Sequence, residues 1–235
     1  YIFLKARFLI LAATVCICLN ATAQSTIEYD IVLSGGRVID PETKLDAIRN
    51  VGINNNLIAQ ISTETLKGKQ TINVSGLVVA PGFIDMHIHG RSNVEQEYQL
   101  HDGVTTALEL EWGIEHLGKW YASRKGKALI NYGASVNWPF ERFKAIGKYQ
   151  NAVDSLLQIT LRGEANIGAM TNTILRAATE TITPDALNQT LANIKASLTE
   201  GGIGIGAPIG YLPKTNPNEM LQVYKLDGEL QALVF

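Results

Sequence analysis

The chain has 235 residues, 46% of them hydrophobic and 18% charged, with a formal net charge of −2. That balance suits an ordinary globular interior and excludes a highly charged disordered chain. There is no long basic run to meet phosphates, so nucleic acid is excluded as a partner.

Taken in chain order, the first segment reads as a leader. Lys5 and Arg7 precede an apolar run over residues 8–19, and Ala21-Thr22-Ala23 follows. A basic start, a short apolar core and an Ala-x-Ala site describe a secretory signal peptide, here residues 1–23. The alternative, a membrane anchor, needs a longer apolar run. Export from a bacterial cell, to the periplasm or beyond, is the expectation, with no membrane association after cleavage. Cys16 and Cys18 both fall in the leader. The remaining chain therefore has neither a disulfide framework nor a thiolate metal site.

Residues 24–80 alternate apolar and polar in short runs, the pattern of a small β-sandwich-like domain. Strands are expected over 31–33 and 37–39, flanking Ser34-Gly35-Gly36 as a hairpin turn. Asp40-Pro41-Glu42 reads as a second turn. Strands over 51–53 and 57–61 flank Asn54-Asn55-Asn56, another hairpin signal because Asn tolerates positive φ. Strands over 71–74 and 77–80 follow, and this N-terminal part of the unit is expected to keep an open edge.

From residue 81 the period changes to strand followed by helix. Strands are expected over 83–89, 104–111, 127–136 and 203–209. Helices are expected over 95–101 and 114–125, around 153–161 and 171–179, from Thr183-Pro184 to 198, and from Asn216-Pro217 to about 230. Thr183 is an N-cap candidate with Pro184 at N1, and Gly103 and Gly201-Gly202 are helix stops. Repeated β–α units imply an α/β architecture with parallel strands.

The most informative feature is His87-Ile88-His89 at the end of the first of these strands. Alternation places Phe83, Asp85, His87 and His89 on one face and Ile84, Met86 and Ile88 on the other. Two imidazoles on one face can grip one metal ion. An ion held by a few protein groups with one position open makes water a nucleophile at neutral pH. The competing reading is a pair of core histidines that have found hydrogen-bond partners. Asp85 either orients an imidazole or a nearby backbone group, or makes a structural hydrogen bond.

On the next strand Thr105, Ala107, Glu109 and Glu111 share a face. Two inward carboxylates are costly without cations or a metal. Glu111, nearer the strand's end, reads either as a metal ligand or as half of a buried ion pair. His101, at a helix C-terminus, and His116 read as ordinary histidines rather than ligands. Asn137 and Trp138 read as rim packing. Gly202, Gly204, Gly206 and Gly210 lack the Lys-Ser/Thr of a phosphate loop, so close backbone packing is the better account of them.

The run Pro81-Gly82-Phe83-Ile84-Asp85, the His87/His89 pair and Asp102-Gly103-Val104-Thr105-Thr106 together resemble the amidohydrolase superfamily. The run from Glu200 to Pro213 is similar to that of its D-aminoacylase branch, whose members deacylate N-acyl-D-amino acids. The resemblance spans about residues 29–235. It implies a (β/α)₈ barrel, with its N-terminal half over residues 81–235 and its active site at the strands' C-terminal ends. It also implies zinc, as one or two divalent ions, with His87, His89 and Glu111 as ligands, and Tyr211 in contact with a small N-acyl amino acid such as N-acyl-D-glutamate. The other reading of Tyr211 is an amphipathic residue packed under a loop. The general base, an Asp in this family, is expected beyond residue 235, so the chain reads as an incomplete and inactive part of an enzyme.

Two departures stand out. Glu111-Trp112-Gly113 occupies the region where the branch usually has a cysteine, and Arg91 stands where many relatives have Asp. The alternative within enzymes is a cyclic-amide hydrolase of the dihydroorotase or hydantoinase kind. Those carry a carboxylated Lys on strand four, and residues 203–209 contain no Lys. An isoaspartyl-dipeptidase-like activity and a non-catalytic secreted metal-binding protein are the further alternatives.

Overall fold

A computed structural model describes residues 27–149, 151–155, 158, 177, 180–208, 217–230 and 233–234. The expected leader, Tyr211 and most of the helices expected around 153–161 and 171–179 lie outside these residues. The chain forms two units that part between Pro81 and Gly82.

The first unit is a five-stranded sheet. It contains β1 (Glu28–Asp40), β2 (Leu45–Asn54), β3 (Leu57–Ser62), β4 (Lys67–Asn73) and β5 (Val78–Val79). The order is β3-β2-β1-β4, with β5 also paired to β1. Asn55 and Asn56 both take positive φ, 51° and 62°, and close the β2–β3 hairpin as their residue type suggested.

Ser34-Gly35-Gly36 is not a hairpin turn. β1 runs straight through it, with a bulge where Leu33 pairs Val51 and Gly36 pairs Arg49. The physical reason is Asn50, whose Oδ1 accepts the Gly35 N–H at 3.0 Å and the Ser34 hydroxyl at 3.2 Å. That side chain satisfies the group that the bulge frees, so the strand need not reverse.

The second unit has five parallel strands in chain order. They are β6 (Phe83–Asp85), β7 (Val104–Ile114), β8 (Asn131–Asn137), β9 (Gly204–Gly206) and β10 (Leu233–Val234). Helices α1 (Asn93–His101), α2 (Leu117–Arg124), α3 (Trp138–Ala145), α4 (Pro184–Thr199) and α5 (Pro217–Leu230) intervene. Sequential parallel strands joined by helices form half of a (β/α)₈ barrel. Among the described residues no helix is long and apolar enough to cross a membrane.

Local chemistry sets the helix ends. Ser92 and Glu95 form a reciprocal capping box on α1. Thr183 caps α4 through the Ala186 N–H, with Pro184 in the first turn. α4 buries Leu187, Thr190, Ile194 and Ser197, a 3-4-3 spacing that lays one stripe on the sheet. Ile194 meets Ile114, Val136, Trp138 and Ile205 in the main core. A fully buried aliphatic side chain of this kind contributes about 1.5–3 kcal/mol. Trp138 is therefore core rather than rim.

Several strand limits differ from expectation. β6 ends at Asp85 because Asp85 Oδ1 accepts the His87 N–H at 3.1 Å, a side-chain turn that lifts the backbone from the ladder. Ile88 N–H then returns to Leu108 O at 3.4 Å. β8 begins at Asn131 because residues 125–127 form a turn in which Gly126 has φ 74°.

β7 extends to Ile114 through a wide bulge. From Glu109 to Ile114 it advances five residues, while β8 advances two, from Ala134 to Val136. Ser135 Oγ donates to Leu110 O at 2.5 Å inside this bulge. Gly113 has φ 71°, and a Cβ there would lie 2.5 Å from Ser135 O and 2.7 Å from Asn137 N. Left-handed backbone costs an L-residue about 1–2 kcal/mol, and overpacking against rigid backbone costs about 1–3 more. Gly113→Ala is therefore expected to lose about 3 kcal/mol in urea unfolding. Gly126→Ala, with similar φ but open space around its Cβ, is expected to lose only the first part. Equal losses would show that the bulge has no steric requirement at 113.

Candidate metal centre

Two neighbouring strand ends build the site. His87 and His89 follow β6, and Glu111 lies in the bulge of β7. His87 Nε2 lies 3.2 Å from Glu111 Oε2, and His89 Nε2 lies 3.5 Å from the same oxygen. The two rings meet edge to face with centroids 5.3 Å apart. One ligand atom from each residue falls within 4.8 Å of the others. Bonds of about 2.0–2.1 Å in a tetrahedral zinc site set donor–donor edges of about 3.3 Å. The two edges to Glu111, 3.2 and 3.5 Å, bracket that figure, and a His–His–carboxylate donor set suits one small divalent cation. The imidazoles are half-exposed or more, which leaves solvent access to such an ion.

Behind these groups the character changes from wet to dry. Glu109 has a side chain only 1% exposed and sits 3.2 Å from His89 Nδ1 through Oε2. Its Oε1 accepts the Trp112 N–H at 3.3 Å. Arg91 Nε stands 3.9 Å from Oε2. Burial pushes the Glu109 carboxyl above its ordinary range, and Arg91 and His89 pull it back.

Arg91 also donates to Glu115 Oε2 at 2.5 Å and to Gly113 O at 3.3 Å. Glu115 Oε1 accepts from Asn137 Nδ2 at 2.9 Å, while Asn137 Oδ1 caps α3. Trp120 Nε1 and Arg124 Nη1 grip the Arg91 carbonyl at 2.8 and 2.7 Å. The loop that carries the histidines is thus anchored to α2.

No protein-family profile matches the chain. D-aminoacylase of Alcaligenes xylosoxydans xylosoxydans is 29% identical over 210 residues, 83% of this chain and 41% of that enzyme. The crystal structure of N-acyl-D-glutamate deacylase from Bordetella bronchiseptica, complexed with zinc and a phosphonate inhibitor, superposes with a TM-score of 0.65 at 18% identity. That likeness covers 88% of this chain and 44% of the other. A D-aminoacylase crystal structure gives 0.59 over the same shares. The chain is similar to D-aminoacylase over most of its length and shares the fold of these two structures. Dihydroorotase of Streptococcus pneumoniae serotype 4 is 37% identical, but over only 79 residues, 33% of this chain and 19% of that enzyme. The chain thus spans about two fifths of the length of the D-aminoacylase it matches.

In this chain His87, His89 and Glu111 come together, while the other histidines stay apart. His101 is exposed at the end of α1. Asp85 engages the His87 backbone rather than a ring. The Glu109–Arg91–Glu115–Asn137 network was only partly legible. Alternation put Glu109 on the same face as Glu111, but nothing nearby in sequence marked Arg91 as its counter-charge.

His116 occupies left-handed backbone, φ 51°, and packs its ring on Phe140 with centroids 5.0 Å apart. Its Nε2 is enclosed without a hydrogen-bond partner among the described residues. Burial lowers its pKa from the ordinary 6.5, and Lys144 and Lys119 act in the same direction, against Glu115 and the Val153 backbone. The unfolded chain then binds the extra proton first. The stability this ring contributes is present above pH 6.5 and is lost as pH falls through the lowered folded value. His116→Asn keeps a residue tolerant of left-handed backbone. The difference in urea-unfolding free energy between wild type and this variant should shrink from about pH 7 to about pH 5. A constant difference would contradict the burial effect.

Proposed function

We propose that this chain is part of an exported, metal-dependent amidohydrolase that cleaves the linear amide of N-acyl-D-amino acids, N-acyl-D-glutamate among them. The observation that carries the reading is the convergence of His87 Nε2, His89 Nε2 and Glu111 Oε2 at metal-ligand spacing on the mouth of a parallel half-barrel. These three side chains would hold zinc. Bound there with an open position, zinc supplies Lewis-acid polarisation of an amide carbonyl and a nucleophilic water at neutral pH.

The chain's own residues do the rest of what is described. His87 and His89 offer neutral donors, Glu111 offsets the cation's charge, and the half-exposed face admits a small substrate. The D-aminoacylase match runs over 83% of the chain, and it supports a linear N-acyl amino acid over a cyclic amide. The dihydroorotase match reaches a third of it, and β9 offers no Lys to bridge a second ion. Export rests on the leader-like composition of residues 1–23.

Two measurements test the proposal. The chain should retain about one zinc per molecule after gel filtration. His87→Ala and Glu111→Ala should each weaken zinc binding by about a hundredfold, the upper end of what losing a supporting partner costs. The protein that carries this chain should release amino acid from N-acetyl-D-glutamate and lose that activity on chelation. Zinc binding indifferent to both substitutions would sink the metal centre. Cleavage of dihydroorotate or hydantoin in place of the linear amide would sink the substrate class.

A further inference from the structure

We infer that Arg124 is a positioning residue for the metal centre, whose guanidinium fixes the main chain that presents His87 and His89. The inference rests on the reading of His87, His89 and Glu111 as metal ligands. Arg124 is the last residue of α2 and is 2% exposed. Its Nη1 donates to the Arg91 carbonyl at 2.7 Å, and its Nη2 donates to Gln96 Oε1 on α1. Its guanidinium carbon lies 4.9 Å from the centre of the Trp120 ring and 4.5 Å from that of Tyr132 on β8. Those two rings stand at 87° to each other, so the cation sits in the corner between them.

A guanidinium stays charged, and taking it out of water is costly. Among the described residues no carboxylate pairs with Arg124, and its Nε has no hydrogen-bond partner. The two aromatic faces offset part of the cost. A side chain needed only to pack α2 on the sheet would serve as well or better as hydrocarbon. Hydrocarbon cannot hold a carbonyl. The Arg91 carbonyl lies two residues after His89 and just before Ser92, the N-cap of α1. It also accepts from Trp120 Nε1 at 2.8 Å. Two donors from α2 thus converge on one oxygen of the histidine loop, while the second arm of the guanidinium grips α1 through Gln96. The exit of the loop is fixed on both sides, and with it the direction from which the imidazoles meet Glu111. The alternative is that the Arg91 side chain alone holds the loop and Arg124 is only structural.

Two variants separate these accounts. Arg124→Met keeps much of the bulk and offers no donor. Arg124→Lys keeps the charge but has one nitrogen where the guanidinium uses two. Zinc affinity, measured by competition with a chromogenic chelator, should fall about tenfold in each. Ile194→Val, in the main core, loses packing alone and should keep the wild-type affinity. A second readout contains no metal. The Ile88 N–H lies between the two histidines and bonds Leu108 O at 3.4 Å. In Arg124→Met its hydrogen exchange should quicken severalfold, with the amides between β7 and β8 at their wild-type rates.

Zinc affinity within about threefold of wild type in the folded variants overturns the inference. So does exchange that quickens no more at Ile88 than between β7 and β8, the pattern of a structural role. If Arg124→Met unfolds, as judged by near-ultraviolet circular dichroism, Arg124→Lys decides the matter by the same two readouts. Failure of the metal centre itself appears separately, as zinc binding indifferent to His87→Ala. The exchange comparison is unaffected by that result and still reports whether Arg124 holds the loop.

Discussion

The site depends on a steric constraint in β7. A strand that advances five residues while its neighbour advances two must shed the excess as a bulge. The space for it exists only because two positions carry no side chain. A Cβ at Gly113 would collide with the β8 backbone. One at Gly206 would stand 2.8 Å from Glu111 O and 2.7 Å from Ser135 Oγ. The bulge lets Glu109 stay in the dry interior while Glu111, two residues later, emerges at the rim. A regular ladder would have kept both carboxylates in register on one buried face, at high desolvation cost.

That separation explains the electrostatics. Glu109 is nearly sealed from water and is matched to an almost equally sealed Arg91, which in turn serves Glu115. Buried ion pairs are weak evidence for stability, because desolvation offsets their attraction. Their value here is geometric. Arg91 is fixed through its guanidinium by two carboxylates and a carbonyl, and through its own carbonyl by Trp120 and Arg124. Arg91 follows His89 by two residues, so pinning it pins the loop that presents the imidazoles. Arg91 is thus an internal counter-ion.

The sequence made the three clustered residues legible because their signals are local. His87 and His89 share a face by alternation, Glu111 stands at the end of an apolar run, and Thr183-Pro184 caps a helix as such pairs do. The repeating strand–helix order sufficed for the parallel half-barrel. What stayed illegible depends on contacts distant in sequence. The bulge at Ser34-Gly35-Gly36 looked like a turn because Gly-Gly suits both. Only Asn50, fourteen residues or more away, decides between them. β6 ends early because of one side-chain hydrogen bond from Asp85. The extension of β7 into residues that read as helix follows from Ser135, Gly113 and Gly206 acting together, which no single-strand pattern contains. Arg91 was visible as a departure, but its role required knowing that Glu115 and Glu109 converge on it.

Reaction class and substrate choice are written in different parts of such a molecule. Two imidazoles and a carboxylate at adjoining strand ends suit any amide whose carbonyl reaches the ion, cyclic or linear, so the same opening elements serve several hydrolases. Matches to dihydroorotase over a third of the chain and to D-aminoacylase over most of it fit that division. Substrate choice in such folds is commonly set by loops at the strand ends, where side-chain changes leave the barrel intact. The half-exposed His87 and Glu111 mark where that outer layer begins. Behind them, Glu109, Arg91, Glu115 and Asn137 form a network that holds the loop of His87 and His89 in place.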